Sequence, residues 1–132
     1  MNMDKKFPKK LTGLLSGIKT YTKEKQLLNK ILNGLKNEEF KMHLQFIVDN
    51  QTKKIVSAEA LSRWEDSSGE IVMPGKYIGI MEKSGLIVDF DYYMFERVCK
   101  KLSEWKNTEF DEITISCNIT RITISEKDLL IK

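Results

Sequence analysis

Apolar side chains recur along the first half of the chain with two different periods. In residues 21–35 leucine and isoleucine return every three or four positions, which predicts a helix that Asn37 can stop. Residues 40–48 and 54–64 alternate with a period of two, which is typical of strands. The turn-forming residues 49–52 between them favour an antiparallel hairpin.

The second half of the chain continues with two helical patterns. Pro74 is expected to open a helix at its first turn, and Gly85 is expected to end it. The following helix has apolar residues at helical spacing as far as Trp105, with Asp89 or Asp91 as its cap. Both helices therefore have recognisable start or stop signals.

A third strand is predicted near the end of the chain. Residues 112–119 alternate, with the apolar positions Ile113, Ile115, Cys117 and Ile119 on one face. Residues 65–73 are predicted to be a polar loop, and residues 124–132 to start a helix that Ser125 caps. Strands that alternate with helices after the first hairpin favour an α/β fold.

Composition restricts the class of protein. The chain has 132 residues, 41% hydrophobic and 31% charged, which suits one globular domain or part of a larger one. No apolar run is long enough for a membrane span, and the N-terminus does not resemble a signal peptide, so we expect a cytoplasmic protein. Residues 1–36 carry nine lysines against Asp4 and Glu24. Because this basic segment has few aromatic residues, a linker is favoured over a nucleic-acid-binding arm, and no specific nucleic acid is expected.

The two cysteines and the single histidine define no metal or redox site. Cys99 and Cys117 form no CxxC motif and no disulfide framework, and each occupies an apolar-looking position. We expect both to be small buried side chains. His43 alone cannot make a zinc site.

The predicted strand 54–64 carries the most informative polar residues. Glu59 and Arg63 share one face because side chains of equal parity point the same way. A carboxylate is a hard ligand for Mg²⁺ or Mn²⁺, and a guanidinium is suited to a phosphate. The pair therefore suits a metal-assisted phosphate site, and the alternative is an ion pair in which the two residues neutralise each other.

Two polar residues on neighbouring strands add to this picture. Asn118 lies near the carboxyl end of strand 112–119, where α/β folds place their sites, and its oxygen can bind a hard cation. The alternative is a hydrogen bond from Asn118 to a nearby loop. Gln45 lies opposite Glu59 on the same face if the hairpin turn is centred near residue 52.

At this point five segments together resemble a known family. The heptad AEALSRW (58–64) matches the signature x-E-A-L-x-R-W of EAL domains, the cyclic-di-GMP-specific phosphodiesterases. The other matching segments are LQFIVD (44–49), MPGKYIGIMEKSGLI (73–87), FERVCKKLSEW (95–105) and ISCNIT (115–120). Their order and spacing agree with the family, and the resemblance covers about residues 38–132.

The resemblance implies a fold and an activity. EAL domains are TIM-like (β/α)8 barrels with an antiparallel first strand, and they hydrolyse cyclic-di-GMP to linear pGpG with two Mg²⁺ or Mn²⁺ ions. By this resemblance Glu59 and Asn118 are metal ligands, Arg63 holds a substrate phosphate, and Gln45 and Leu61 line the nucleotide pocket. Residues 38–132 would be the N-terminal half of such a domain, and residues 1–37 a basic linker and connector helix.

The sequence also departs from the family. Phe46 and Gly79 replace prolines, and the family's later metal-binding and catalytic motifs are absent. A barrel of this kind takes about 250 residues. We therefore expect an incomplete barrel that is inactive alone and binds cyclic-di-GMP weakly or not at all.

Other functions and partners remain open at this level. A degenerate EAL module that senses a nucleotide, or one that serves as a protein-interaction scaffold, is the alternative to a phosphodiesterase fragment. Because a partial sheet exposes strand edges, we expect a homodimer, formed through the sheets or through helix 21–35. If that helix instead covers its own sheet, a monomer is expected. An upstream sensory or GGDEF domain is compatible with residues 1–37 as a connector.

Overall fold

The computed structural model describes residues 9–125. They form a mixed sheet of four strands together with four α-helices. In chain order the elements are α1 (Lys9–Lys36), β1 (Phe40–Val48), β2 (Ile55–Glu65), β3 (Ile71–Val72), a 3₁₀ turn (Pro74–Lys76), α2 (Ile78–Ser84), α3 (Ile87–Trp105), β4 (Thr114–Cys117) and α4 (Arg121–Ile124). The predicted α/β class is confirmed.

Strand β2 is the centre of the sheet. β1 pairs with it antiparallel along nearly its whole length, which confirms the predicted hairpin and the antiparallel first strand. β4 pairs with β2 in parallel at Ser57–Ala60, and the short β3 pairs antiparallel at Trp64 and Glu65. The sheet does not close into a barrel within residues 9–125.

The hairpin register agrees with the prediction from the turn. Gln45 lies opposite Glu59, and a register shift follows between Ile47 and Val48. Asp49 organises the turn, because its carboxylate accepts hydrogen bonds from the Gln51 backbone N–H at 3.1 Å and the Thr52 hydroxyl at 3.0 Å. This local chemistry sets which side chains share a face.

The core lies between one face of the sheet and the helices. Phe40 and Trp64 stack at 5.2 Å between ring centroids, and Tyr77 and Phe90 meet Phe40 edge-on. Aliphatic side chains from three helices complete the cluster: Ile31 of α1, Met81 of α2, and Ile87 and Met94 of α3. Burial of these apolar groups is the main stabilising contribution to the fold.

The sequence placed several element boundaries wrongly. Helix α1 begins at Lys9 rather than near residue 21, so residues 9–20 are helical rather than an irregular linker. The expected polar loop 65–73 contains the two-residue strand β3. The single helix expected at 74–83 is a 3₁₀ turn followed by α2. Weak periodicity and very short elements give little sequence signal.

Helix caps were predicted with mixed success. Gly85 ends α2 in the left-handed conformation with φ 83°, as expected. Neither Asp89 nor Asp91 caps α3, which begins at Ile87. A four-residue helix α4, capped by Thr120, precedes Ser125, from which the last helix was predicted to begin. The remainder of that predicted helix, residues 126–132, lies outside the described residues.

The apolar face of β4 has a partial cover. Ile115 and Cys117 pair with Ala58 and Ala60 of β2, on the face that packs against the helices. Ile113, just before β4, is 8% exposed. The helical layer therefore covers part of this face, and Ile115, Cys117 and Ile119 remain half-buried. Cys99 is exposed rather than buried.

Candidate functional site

The opposite face of the sheet carries the residues that the sequence singled out. Gln45 of β1, Glu59 of β2 and Ser116 of β4 lie side by side in one row across the three strands. Leu61 and Arg63 follow along β2 on the same face as Glu59, because alternate strand residues point the same way. In the described part of the chain no helix packs over this row, and its polar groups are half-buried or exposed.

Glu59 and Asn118 meet across the parallel strand pair. The Asn118 side-chain N–H donates to Glu59 Oε1 at 3.3 Å. The pairing of Glu59 with Ser116 explains this contact, since Asn118 follows two residues later on the same face. The predicted alternative for Asn118, a hydrogen bond to a nearby loop, is not what the structure shows.

The donor atoms of this pair suit a hard divalent cation. A half-turn of the Asn118 amide exchanges its nitrogen and oxygen, which lets the oxygen face the same ion as the Glu59 carboxylate. Two oxygen-bearing side chains are fewer than such an ion requires. No cluster of three or more His, Cys, Asp or Glu side chains that could hold a metal occurs in residues 9–125. The pair fits one side of a metal site by chemistry and falls short of a full site by number.

Arg63 does not form the ion pair that was its alternative assignment. Its guanidinium Nη1 donates to the backbone carbonyl of Ser62 at 2.7 Å. No salt bridge joins Arg63 to Glu59 in the described structure. Both charges therefore remain available to a ligand on the open face.

A cleft of about 250 Å³ opens where β2 and β4 end. Leu61, Arg63 and Asn118 contribute to its lining, and Ile87, Phe90 and Met94 of α3 form an apolar wall. Gln45 and Glu59 are not part of the lining. The structure thus brings three of the five predicted site residues to one cleft and places the other two beside it on the sheet.

The hydroxyls of Ser62 and Tyr77 contact each other on the covered side of β2. Tyr77 is fully buried, and its hydroxyl lies 2.8 Å from that of Ser62. Burial raises the pKa of Tyr77, although the Ser62 hydrogen bond and the nearby Arg63 charge both oppose that rise. Tyr77 is therefore neutral, and from the buried side it supports the strand that carries Arg63.

Cys117 is not a nucleophile in this site. Burial raises the pKa of its thiol, and the negative charge of Asp91 adds to the effect. A thiol that keeps its proton is a poor nucleophile, so Cys117 fulfils the packing role predicted for it.

No functional role for Asp91 was predicted from the sequence. This carboxylate is 5% exposed and accepts hydrogen bonds from Thr120 and Thr123, beside Asn118. The available signal was its position in the stripe of buried residues on α3, with Ile87 four residues before it and Met94 three residues after it. A carboxylate within such a stripe needs buried donors.

Comparisons with known proteins assign the family. The model of the EAL domain matches residues 28–131, and the chain belongs to the EAL domain family. The signaling protein YkoW of Bacillus subtilis is 30% identical over 97 residues, which are 74% of this chain and 12% of YkoW. The bifunctional diguanylate cyclase/cyclic di-GMP phosphodiesterase MucR of Pseudomonas aeruginosa is 25% identical over 105 residues, which are 80% of this chain and 15% of MucR.

Solved structures confirm the fold. The EAL enzyme Bd1971, in its form with cAMP and cyclic-di-GMP bound, superposes with a TM-score of 0.76 at 24% identity. The match covers 91% of this chain and 34% of the Bd1971 chain. The chain thus spans far less than two thirds of the proteins it matches, and its open sheet corresponds to part of an EAL-type barrel. No helix in residues 9–125 is long and apolar enough to cross a membrane.

Proposed function

We propose that this chain is the N-terminal half of a cyclic-di-GMP phosphodiesterase domain and supplies one wall of its site. The observation that carries the proposal is the contact of Glu59 with Asn118 on the open face of a member of the EAL family. The division into a basic connector, residues 1–37, and a half-domain, residues 38–132, belongs to this proposal. So do a cytoplasmic location and an upstream sensory or GGDEF domain.

Each residue of the wall has a separate role in the proposal. Glu59 and Asn118 hold one Mg²⁺ or Mn²⁺ ion, and Arg63 turns from the Ser62 carbonyl to bind a phosphate oxygen of the nucleotide. Leu61 offers an apolar contact for a guanine base, and Gln45 offers a hydrogen bond next to Glu59. When bound, the two metals of the family would activate the attacking water and neutralise charge on the phosphate.

The chain by itself is proposed to be inactive. Two ligands do not fix the geometry or the number of metals that phosphodiester hydrolysis requires. Incubation with cyclic-di-GMP and Mg²⁺ or Mn²⁺ should yield no pGpG above the rate without protein. Metal-dependent pGpG formation that Glu59→Gln abolishes and Glu70→Gln leaves intact would overturn this part of the proposal.

Residual nucleotide binding tests the roles of the wall directly. Because only one side of the pocket is present, we expect a Kd for cyclic-di-GMP of about a millimolar. In amide spectra of isotope-labelled protein, the nucleotide should shift signals around Gln45, Leu61 and Arg63. It should leave the hairpin turn unchanged, and Arg63→Ala should abolish the shifts. No shift at saturating nucleotide would contradict the proposal, and micromolar affinity would favour the alternative of a nucleotide sensor.

The homodimer remains part of the proposal, but its interface is now restricted to a smaller surface. Helix α1 packs Ile31 into its own core, which is the arrangement for which a monomer was expected, so a dimer through this helix is no longer proposed. Helix α3 packs against β4, so that surface is not proposed either. The surface proposed instead is the outer edge of β1 and the adjoining hairpin, where five apolar side chains are 40–50% exposed: Phe46, Ile47, Val48, Ile55 and Val56. Light scattering should give twice 15.4 kDa, and Ile47→Lys should restore the monomer. A monomer in the unsubstituted chain at tens of micromolar would refute the dimer.

A further inference from the structure

Asp91 is a buried carboxylate whose partners come from the segment that follows Asn118. Its Oδ2 accepts hydrogen bonds from the Thr120 backbone N–H at 3.0 Å, the Thr120 hydroxyl at 2.9 Å and the Thr123 hydroxyl at 2.6 Å. No salt bridge with a basic side chain is found for Asp91 in residues 9–125. A buried carboxylate is expensive unless donors satisfy it, so these three bonds fasten the segment to α3.

The fastened segment contains little else that could hold its shape. Helix α4 has only four residues, and a helix this short is not stable by itself in water. Its cap is Thr120, whose hydroxyl accepts from the Thr123 N–H at 3.4 Å while it donates to Asp91. The backbone after β4 therefore has two anchors, the pairing with β2 before Asn118 and the Asp91 cluster after it.

We propose that Asp91 is a positioning residue that holds Asn118 beside Glu59. Asn118 lies two residues before Thr120, and its side chain is exposed, so packing does not fix it. The bonds from Asp91 to Thr120 and Thr123 fix the direction in which the chain leaves β4. In this way a side chain on the helical layer controls a contact on the open face. This inference rests on the proposed function, because it takes Asn118 as a ligand of the metal.

Amide spectra of the isotope-labelled full chain test this positioning without any ligand. Asp91→Ala should shift the Asn118 side-chain signals and speed hydrogen exchange of the Thr120 amide about tenfold. Thr123→Val should do the same to a smaller degree, and Thr123→Ser should restore the native signals because it keeps the hydroxyl. Asp89→Asn removes an exposed carboxylate from the same helix and should change neither signal.

The tests separate positioning from general stability. If Asp91→Ala does not fold by circular dichroism, Asp91→Asn and Thr123→Val decide the question. Asn118 side-chain signals that stay native in folded variants with a disrupted Thr120 amide would overturn the inference. Glu59→Gln should shift the Asn118 side-chain signals but leave the Thr120 amide signal unchanged. This result would show that the Asp91 cluster positions Asn118 and that Glu59 does not position Thr120.

A titration with Mn²⁺ alone connects the inference to the proposed function. Paramagnetic broadening around Glu59 and Asn118 should require about ten times more Mn²⁺ in Asp91→Ala than in the Asp89→Asn control, with a smaller increase in Thr123→Val and none in Thr123→Ser. If all folded variants needed the same Mn²⁺ concentration for this broadening, the inference that Asp91 affects the metal site would be overturned. Absence of broadening in the unsubstituted chain would instead overturn the metal assignment, and the Asn118 signals would still decide the role of Asp91.

Discussion

Along β2, neighbouring residues belong to two faces with opposite surroundings. Ala58, Ala60 and Trp64 are at most 4% exposed and face the helices. Glu59 and Arg63, between them in sequence, face the side that no helix covers in the described residues. One strand thus serves two purposes, because its pleat sends alternate side chains in opposite directions.

Stability therefore comes mainly from the covered face, and the proposed function from the open face. The covered face excludes water and contributes packing energy, and a polar residue is admitted there only with buried partners, as for Asp91. On the open face Glu59 and Arg63 do not pair with each other, which adds little to stability but leaves both charges available for a ligand. Substitutions on the two faces should therefore differ sharply in their effect on unfolding.

The largest effect is expected for Trp64→Ala on the covered face. This change removes the ring that stacks on Phe40 and the indole N–H that donates to Glu39 at 3.0 Å. We expect a loss of about 3–5 kcal/mol in the free energy of unfolding, measured by urea denaturation. Trp64→Phe keeps most of the buried ring and should lose clearly less. A loss for Trp64→Ala smaller than that of open-face variants would show that the covered face is not the main source of stability.

A smaller loss is expected where α1 packs closely against the same ring. A Cβ at Gly34 would lie 2.9 Å from Trp64 Nε1 and 3.1 Å from Phe40 Cε2. Although alanine is the better helix former by about 1 kcal/mol, the overlap should make Gly34→Ala destabilising by about 1–3 kcal/mol. The matched control is Gly17→Ala on the same helix, where a Cβ meets nothing within 4 Å. That control should raise the melting temperature, and a rise for Gly34→Ala would contradict the close packing.

Alkaline pH should weaken the covered side through Tyr77. Burial raises its pKa in the folded chain above the 10.0 of the unfolded one, so the contribution is constant below that pH. At higher pH the unfolded chain loses the proton first, and stability falls as pH rises through the folded pKa. Tyr77→Phe should reduce this loss in urea midpoints measured on both sides of pH 10.0. Part of the loss should remain because burial also raises the pKa of Tyr93.

Two further results would judge the Tyr77 prediction. Tyr21→Phe removes a hydroxyl whose ring is 66% exposed, so it should leave the alkaline loss of stability unchanged. An equal effect of both substitutions would show that burial of Tyr77 is not its cause.

The smallest effect on stability is expected for Glu59→Gln on the open face. Glutamine keeps an oxygen at the position that accepts from Asn118, and the lost charge is half-exposed. We expect the free energy of unfolding to change by less than about 0.5 kcal/mol, while the response to Mn²⁺ is lost. A destabilisation as large as that of Trp64→Ala would show that the open face is structural.

The sequence predicted local features better than long-range ones. Alternation located β1 and β2, and turn chemistry gave the register that sets Gln45 opposite Glu59. Strand position singled out Asn118, and the resemblance to the EAL family joined it to Glu59 as a metal ligand. Their proximity depends on a parallel pairing that no local pattern encodes. The role of Asp91 was missed because a carboxylate near a helix start has the same pattern as a cap.

The mixed orientation of the sheet also has a consequence for the order of folding. β1 and β2 are joined by a short turn, so their contacts are local and cost little chain entropy to form. β2 and β4 pair only after the chain has passed through α2 and α3, which makes their contacts distant in sequence and slow to form. Glu59 would thus be in place early on a nascent hairpin. It would meet Asn118 in one of the last steps, when β4 docks.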